Sequence, residues 1–428
     1  MTGATGAMGE EAVGQGSGRS STPIWQRVTV RGSKRTGEMM IMVLFDADRA
    51  DAMGAEGAAE AKQDLVRYLL AKETNAATED AGGAGKVGEK KEETEEKVES
   101  TPLRITQILV RGKREGNTMD GPPVLLYDSS TGGKKPSTAA QGSGTNEGNT
   151  RAGIREILLG VPLHISPLAF FQVHTDAAEV LYSLIAQCCD KGYCRDVAAG
   201  DEQQQEKTTT TTTKKKHVLL DVCCGTGSIG LSIADHFEAV LGIELSSDAI
   251  IDAARNAQSN KLVDRARFVC GRAEDVVPRV VTATAAAAPT AMAGKEAAGG
   301  GGEREGSAAE AEAAAWFQAH VKVCEEERGG GIVAVVDPPR TGMHPAVCQA
   351  LRACPRLRRL VFVSCNPTNN YGRWDFVVRK GSLSDNAVLL CGPEAGKVVG
   401  SPFQLSFSCA VDMFPYTPHC ELITVFER

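Results

Sequence analysis

No Cys-x-x-Cys pair occurs in this chain of 428 residues, although it holds 13 cysteines. The ligand spacing of a zinc or iron-sulfur site is therefore missing, and no metal is expected. The odd count, with several cysteines inside apolar strand-like runs, excludes a disulfide framework and fits a reducing compartment. The closest cluster, Cys188, Cys189 and Cys194, reads as helix-face packing. No apolar run approaches about 18 residues, and the acidic N-terminus lacks a signal or transit pattern. A soluble intracellular protein, cytoplasmic or nuclear and without a membrane partner, is the expectation. An excess of positive charge is lacking as well: the formal net charge of −7 argues against a uniformly basic nucleic-acid binder.

What is present is uneven. Residues 1–22 are rich in Gly, Ser and Glu, and further polar or low-complexity stretches run over about 74–101, 129–151, 200–216 and 282–330. Such compositions bury too little apolar surface to order themselves, so they read as a disordered tail, linkers and insertions. One segment reverses the overall charge. Between Pro338 and Lys380 stand eight basic residues, Arg340, Arg352, Arg356, Arg358, Arg359, Arg373, Arg379 and Lys380, against Asp375. That balance suits phosphate contacts, or equally a solvated helix face.

From Ser166 onward, strand and helix patterns alternate. "SPLAFFQVHTDAAEVLYSLIAQCC" starts extended and becomes helical, with Ala177, Val180, Leu181, Leu184 and Ile185 at helical spacing. Then come the strands "VLLDVCCG", "AVLGIELS", "ARFVCGRAED", "GIVAVVDPPR" and "RLVFVSCNP", with helices between, one of them capped by Asp248. The pattern predicts an α/β fold: a doubly wound, Rossmann-like parallel sheet over 166–428. Its last two strands are too close for a crossover helix and form an antiparallel C-terminal hairpin. Residues 23–165 read as a small β-rich region, with "WQRVTVRGSKRTGEMMIMVLF" a hairpin and "DLVRYLLAKE" a helix.

In open parallel sheets, ligands bind at the carboxyl ends of the strands. "CCGTGSIG" contains Gly225-Thr226-Gly227-Ser228-Ile229-Gly230, literally a dinucleotide-binding fingerprint, but several nucleoside-bearing cofactors use such a turn. Glu244 could hold the ribose of either NAD or S-adenosylmethionine. Asp337-Pro338-Pro339 is more selective, because two prolines stiffen a loop that carries a carboxylate. Cys365 follows the apolar run "LVFV" at the mouth of the sheet, where it is a candidate nucleophile or a small strand-end filler. Glu421 opens the final strand, either as a solvated edge charge or as a base in a partly dry site.

Together, "SPLAFFQVHT", "LLDVCCGTGSIGLSIA", "GIELSSDAI", "VVDPPRTGMHP", "VFVSCNPT" and "VDMFPYTPHCELITVFER" resemble the S-adenosylmethionine-dependent RNA uracil-5-methyltransferases, especially the eukaryotic tRNA branch. The motifs stand in family order across 166–428. The resemblance implies S-adenosyl-L-methionine as cofactor, tRNA as partner and a T-loop uridine as target. Cys365 becomes the nucleophile that adds to carbon 6, and Glu421 the base that removes the carbon 5 proton. Gln172, Cys223, Gly225, Gly227, Glu244 and Asp337 become the residues that bind the cofactor or hold the uracil beside it. Some relatives carry an aromatic residue where Cys223 stands. The four-cysteine motif and small N-terminal barrel of the bacterial ribosomal members are not found. The animal tRNA enzymes have an N-terminal RNA-recognition domain for which residues before Pro23 leave no room, which implies a shorter form or an incomplete gene model.

Three other readings stay in view. A ribosomal RNA uracil methyltransferase shares the chemistry but is disfavoured by the missing cysteine cluster. An NAD-dependent oxidoreductase shares the glycine turn but has no counterpart for Cys365 and Glu421. A non-catalytic RNA-binding protein has no chemical reason to keep Cys365, Glu421 and Asp337 together.

Overall fold

The structure is a computed structural model that describes residues 24–82, 103–114, 119–131, 152–189, 217–285, 306–365, 383–393, 399–417 and 419–428. The chain divides into two units. One comprises residues 1–157 and 164–168, the other 158–163 and 169–428.

In the first unit, β1 (Trp25–Gly32) and β2 (Glu38–Asp46) form the expected antiparallel hairpin. Asp46 then caps α1 (Ala47–Ala52) by accepting from the Arg49 N–H, and α2 (Gly54–Gly82) follows. These helices carry the chain over to β3 (Arg104–Lys113), which lies parallel to β2, and β4 (Met119–Asp128) returns antiparallel. Ile41, Val43, Phe45, Leu65, Ile108 and Val110 form the core. The helix runs to Gly82, past Thr74 where a linker was expected; the rest of that linker, the tail over 1–22 and most of 129–151 lie outside the described residues. A short hairpin, β5 (Ile154–Leu158) and β6 (Val161–Ile165), carries the boundary between the units.

The second unit opens with α3 (Thr175–Cys188), capped by His174. Its sheet contains β7 (His217–Val222), β8 (Val240–Glu244), β9 (Ala266–Cys270), β10 (Gly331–Val336), β11 (Leu357–Ser364), β12 (Gln404–Val411) and β13 (Glu421–Glu427). Between them come α4 (Ser228–Ser232), α5 (Ser247–Ser259), α6 (Ala273–Ala285), α7 (Gly306–Arg328), α8 (Pro345–Ala353) and α9 (Leu383–Cys391). The strand order is β12-β13-β11-β10-β7-β8-β9. Five strands are parallel and β13 and β12 antiparallel, as the closing hairpin requires. The order reverses between β7 and β10, which opens a crevice at their carboxyl ends.

Strand alternation sorts the side chains into two cores. Val218, Leu220, Ala334, Phe362 and Phe426 pack under α6, α7, α8 and α9. Leu219, Val333, Val335, Val361, Val363, Ile423 and Val425 pack under α3, α4 and α5. The α7 helix corrects the expectation of an unstructured insertion over 282–330. Phe317, Val321 and Cys324, at helical spacing, are fully buried and make it a crossover helix despite its Ala/Glu bias. Residues 200–216 and 286–305 lie outside the description.

Two local expectations also change. The cap of α5 is Ser246, whose hydroxyl accepts from the Ala249 N–H, so Asp248 falls in the first turn. On α3 the buried face is Ala178, Leu181, Tyr182 and Ile185, whereas Val180 is exposed.

Candidate active site

The register of β11, β13 and β10 assembles the site. Ser364 pairs with Leu422 at the end of the antiparallel ladder; Cys365 is the next residue after β11 and Glu421 the first of β13, near enough that the Glu421 charge acts on the Cys365 thiol. Glu421 continues the alternation of Val425 and Ile423 onto the α3 face, and Cys365 follows the end of β11, whose Val361 and Val363 share that face. Asp337 continues Val333-Val335, and Asp221 continues Leu219, onto that same face. Glu421 is 2% exposed, which removes the alternative of a solvated edge charge.

Grouping carboxylates in a desolvated place disfavours their charged forms. Burial, reinforced by Asp337, pushes Glu421 up to about 8, against the opposing pull of the Arg340 charge. Asp337 keeps some solvent access, but the dense packing around it raises its pKa to about 7. Asp221, fully buried, is also raised to about 7 by desolvation, although the Gly230 N–H donates to its Oδ2 at 3.0 Å.

The Cys365 thiol is raised by burial and then by Glu421 and Asp337; the Arg340 guanidinium, with its charge and a hydrogen bond to the sulfur, works the other way. Thiolate formation at Cys365 therefore depends on Arg340 and on the charge state of its carboxylate neighbours. The described residues stop at Cys365 on this side, so Asn366 and Pro367 lie outside them.

The glycine turn lies next to these groups along the sheet end. Gly225 and Gly227 have φ of +55° and +75°, left-handed values natural to glycine, and the space where a Gly225 side chain would stand is open. Gly230 is inside α4, where a Cβ would lie 2.8 Å from Asp221 Oδ2 and 2.9 Å from Val240 Cγ1. It is a packing glycine and not the third member of a fingerprint. Cys223 also adopts a left-handed backbone, φ 64°, and its thiol is pushed up to about 12 chiefly by burial, which favours the protonated form.

Glu244 ends β8 with its carboxylate fixed by two N–H donors, Gly225 at 3.1 Å and Ser246 at 2.8 Å. An acid clamped beside an open glycine turn suits the vicinal hydroxyls of a nucleoside. Gln172 is buried just ahead of the α3 cap. The residues present thus fit a nucleoside-bearing cofactor, with Asp337, Cys365 and Glu421 grouped beside it.

Three participants escape a residue-by-residue reading of the sequence. Arg340 stood out only as one of many basic residues, though its place directly after Asp337-Pro338-Pro339 is a usable signal. Tyr182 and Ser228 meet with oxygens 2.9 Å apart beside the turn, a long-range pairing that no local pattern reveals. The basic segment itself is corrected in part. Arg352 and Arg359 are buried and donate to backbone carbonyls of Leu389, Gly400 and Cys188, and Arg356 pairs with Glu325 at 3.2 Å. These three side chains serve the fold. Arg373, Arg379 and Lys380 lie outside the described residues.

Residues 219–290 match the family described as a methyltransferase domain. The chain is 37% identical over 275 residues to tRNA (uracil-5-)-methyltransferase homolog A of Homo sapiens, which covers 64% of this chain and 31% of that protein. It is 33% identical over 277 residues to homolog B of Homo sapiens, covering 64% and 40% respectively. The chain thus spans well under half the length of these curated relatives. Among solved structures it overlays the Pyrococcus abyssi tRNA (uracil-54, C5)-methyltransferase in complex with S-adenosyl-L-homocysteine at a TM-score of 0.46 and 16% identity, over 95% of this chain and 60% of that one. That overlay is too loose to bear on function. Among the described residues, no group of three or more His, Cys, Asp or Glu is placed to hold a metal ion, and no helix is long and apolar enough to cross a membrane.

Proposed function

We propose that this chain, a homologue of the tRNA (uracil-5-)-methyltransferases over the 275 residues it shares with them, transfers a methyl group from S-adenosylmethionine to carbon 5 of a tRNA uridine. A T-loop uridine is the proposed target. The observation that carries the reading is that Cys365, Glu421 and Asp337 stand close enough at the sheet end for both carboxylates to act on the thiol, with the glycine turn beside them.

The cofactor would lie over Gly225 and Gly227, with Glu244 on its ribose and Gln172, Cys223 and Asp337 lining the site. When bound, it supplies an electrophilic methyl group. The rest of the chemistry belongs to the protein. Carbon 5 of uracil is a poor nucleophile, so Cys365, as thiolate, adds to carbon 6 and passes its electron pair through the ring to carbon 5. Arg340 favours that thiolate. After methylation, Glu421 takes the proton from carbon 5, the carbon 6–sulfur bond breaks, and Cys365 leaves as thiolate. The uridine has to swing out of its stack to bring its carbon 6 to Cys365.

The experiment is incubation of the full chain with labelled S-adenosylmethionine and unmodified tRNA, followed by mapping of 5-methyluridine. Cys365→Ala is expected to abolish product, and Glu421→Gln to accumulate a covalent protein–RNA adduct visible on a denaturing gel. Methylation that persists in Cys365→Ala sinks the mechanism.

A further inference from the structure

The chemistry just proposed leaves a hydroxyl pair beside the site without a task. Tyr182 is 2% exposed and lies on α3, whose Leu181 and Ile185 share a core layer with Ile423 and Val425 of β13. Its hydroxyl crosses to Ser228 Oγ at 2.9 Å. Ser228 is the first residue of α4 and directly follows Gly227. A phenylalanine would fill the same apolar space, so packing does not account for the oxygen.

The phenol is desolvated and faces Asp337, Asp221 and Glu421, all of which hold it in the protonated form. The Tyr182 and Ser228 hydroxyls share one hydrogen bond, in which either oxygen can donate, and it joins α3 to the first residue after the glycine turn. The C-terminal end of α3 is also anchored, since Arg359 Nη1 donates to the Cys188 carbonyl at 2.8 Å. The helix is held at both places, and the Tyr182 link is the one that reaches the glycine turn.

We propose that Tyr182 is a positioning residue for the methyl donor, which through Ser228 ties the glycine turn to the helix packed against the Glu421 strand. The inference rests on the methyltransferase reading. It assigns to the hydroxyl the affinity for donor, and not the handling of RNA or the chemical step.

The test uses the full chain in four forms: wild type, Tyr182→Phe, Ser228→Ala and the double variant. S-adenosylhomocysteine affinity is measured by calorimetry, and kinetics are measured with tRNA. Tyr182→Phe is expected to weaken S-adenosylhomocysteine about fivefold and to raise KM for S-adenosylmethionine by a similar factor, the scale of one neutral hydrogen bond. KM for tRNA, and kcat at saturating donor, should stay within about twofold.

Because one bond is removed in either case, the double variant should bind no more weakly than Ser228→Ala alone. Full additivity overturns the proposal, as does a Tyr182→Phe protein that binds S-adenosylhomocysteine like wild type. Should Tyr182→Phe not fold, unchanged affinity in Ser228→Ala overturns it instead. Wild type that binds no S-adenosylhomocysteine overturns the underlying methyltransferase reading, a failure distinct from the others.

Discussion

In the role of base proposed for it, Glu421 faces two opposing demands. A group that removes a proton from carbon 5 works best with a pKa near the operating pH, and burial beside Asp337 lifts this one to about 8. The same surroundings raise the Cys365 thiol, so the substrate-free site tends to hold protons that turnover must release. Arg340 lowers both groups and is the nearest counterweight. kcat/KM is therefore expected to rise with pH through neutrality and to go on rising past the Glu421 value of about 8, because the thiol is raised from an ordinary value that already lies higher. Arg340→Gln should move the midpoint upward by a measurable fraction of a pH unit and lower the rate at pH 7. A midpoint that stays in place, or falls, would show that Arg340 does not set the charge state of this pair.

At the level of elements, three arginines of the segment that the sequence left open between phosphate contacts and a solvated helix face, Arg352, Arg356 and Arg359, turn out to be fasteners. Arg359 is 1% exposed; it pairs with Glu427, its register partner on β13, and holds the last turn of α3 through Cys188. Truncating a buried charge partner leaves polar groups without compensation, typically at about 3–5 kcal/mol, whereas a more exposed pair contributes about 1 kcal/mol or less. Arg359→Ala should accordingly shift the urea midpoint far more than Arg356→Ala, which breaks only the partly exposed pair with Glu325. Equal shifts would return both residues to the surface role.

The case shows where the sequence is legible. Alternation in "GIVAVVDPPR" and "RLVFVSCNP" identifies strands and the ends that carry Asp337 and Cys365, because period and strand end are local properties. Whether Arg359 points inward, or whether Phe317 makes a core helix out of an Ala/Glu-rich stretch, depends on partners far away in the chain. So does the meeting of Tyr182 with Ser228. Glu421 is intermediate: its face follows from alternation, but its burial follows from β12 lying outside β13, which composition does not express.

For the molecule as a whole, the raised carboxylates of Asp221, Asp337 and Glu421 link folding to pH in a direction opposite to the usual one. Each holds its proton more tightly in the folded chain than in the unfolded chain, where carboxylates titrate near 4. The native state then binds more protons than the unfolded one between about pH 4 and 8. The stabilisation is complete below the unfolded values and is lost as pH rises through 7 to 8. Asp221 isolates the effect, since it is fully buried, its Oδ2 accepts from Gly230 and its Oδ1 has no hydrogen-bond partner among the described residues.

Replacement by Asn keeps the shape and an acceptor for that N–H while removing the titration. Wild-type Tm should fall between pH 5.5 and 8.5 (bounds chosen about 1.5 units either side of the Asp221 value near 7), by an amount on the order of a few kcal/mol in stability. Asp221→Asn should flatten that slope and exceed wild type in Tm at the alkaline end. Parallel profiles in differential scanning calorimetry would mean that the Asp221 carboxylate is charged throughout, and that the crevice between β7 and β10 is far wetter than its packing implies.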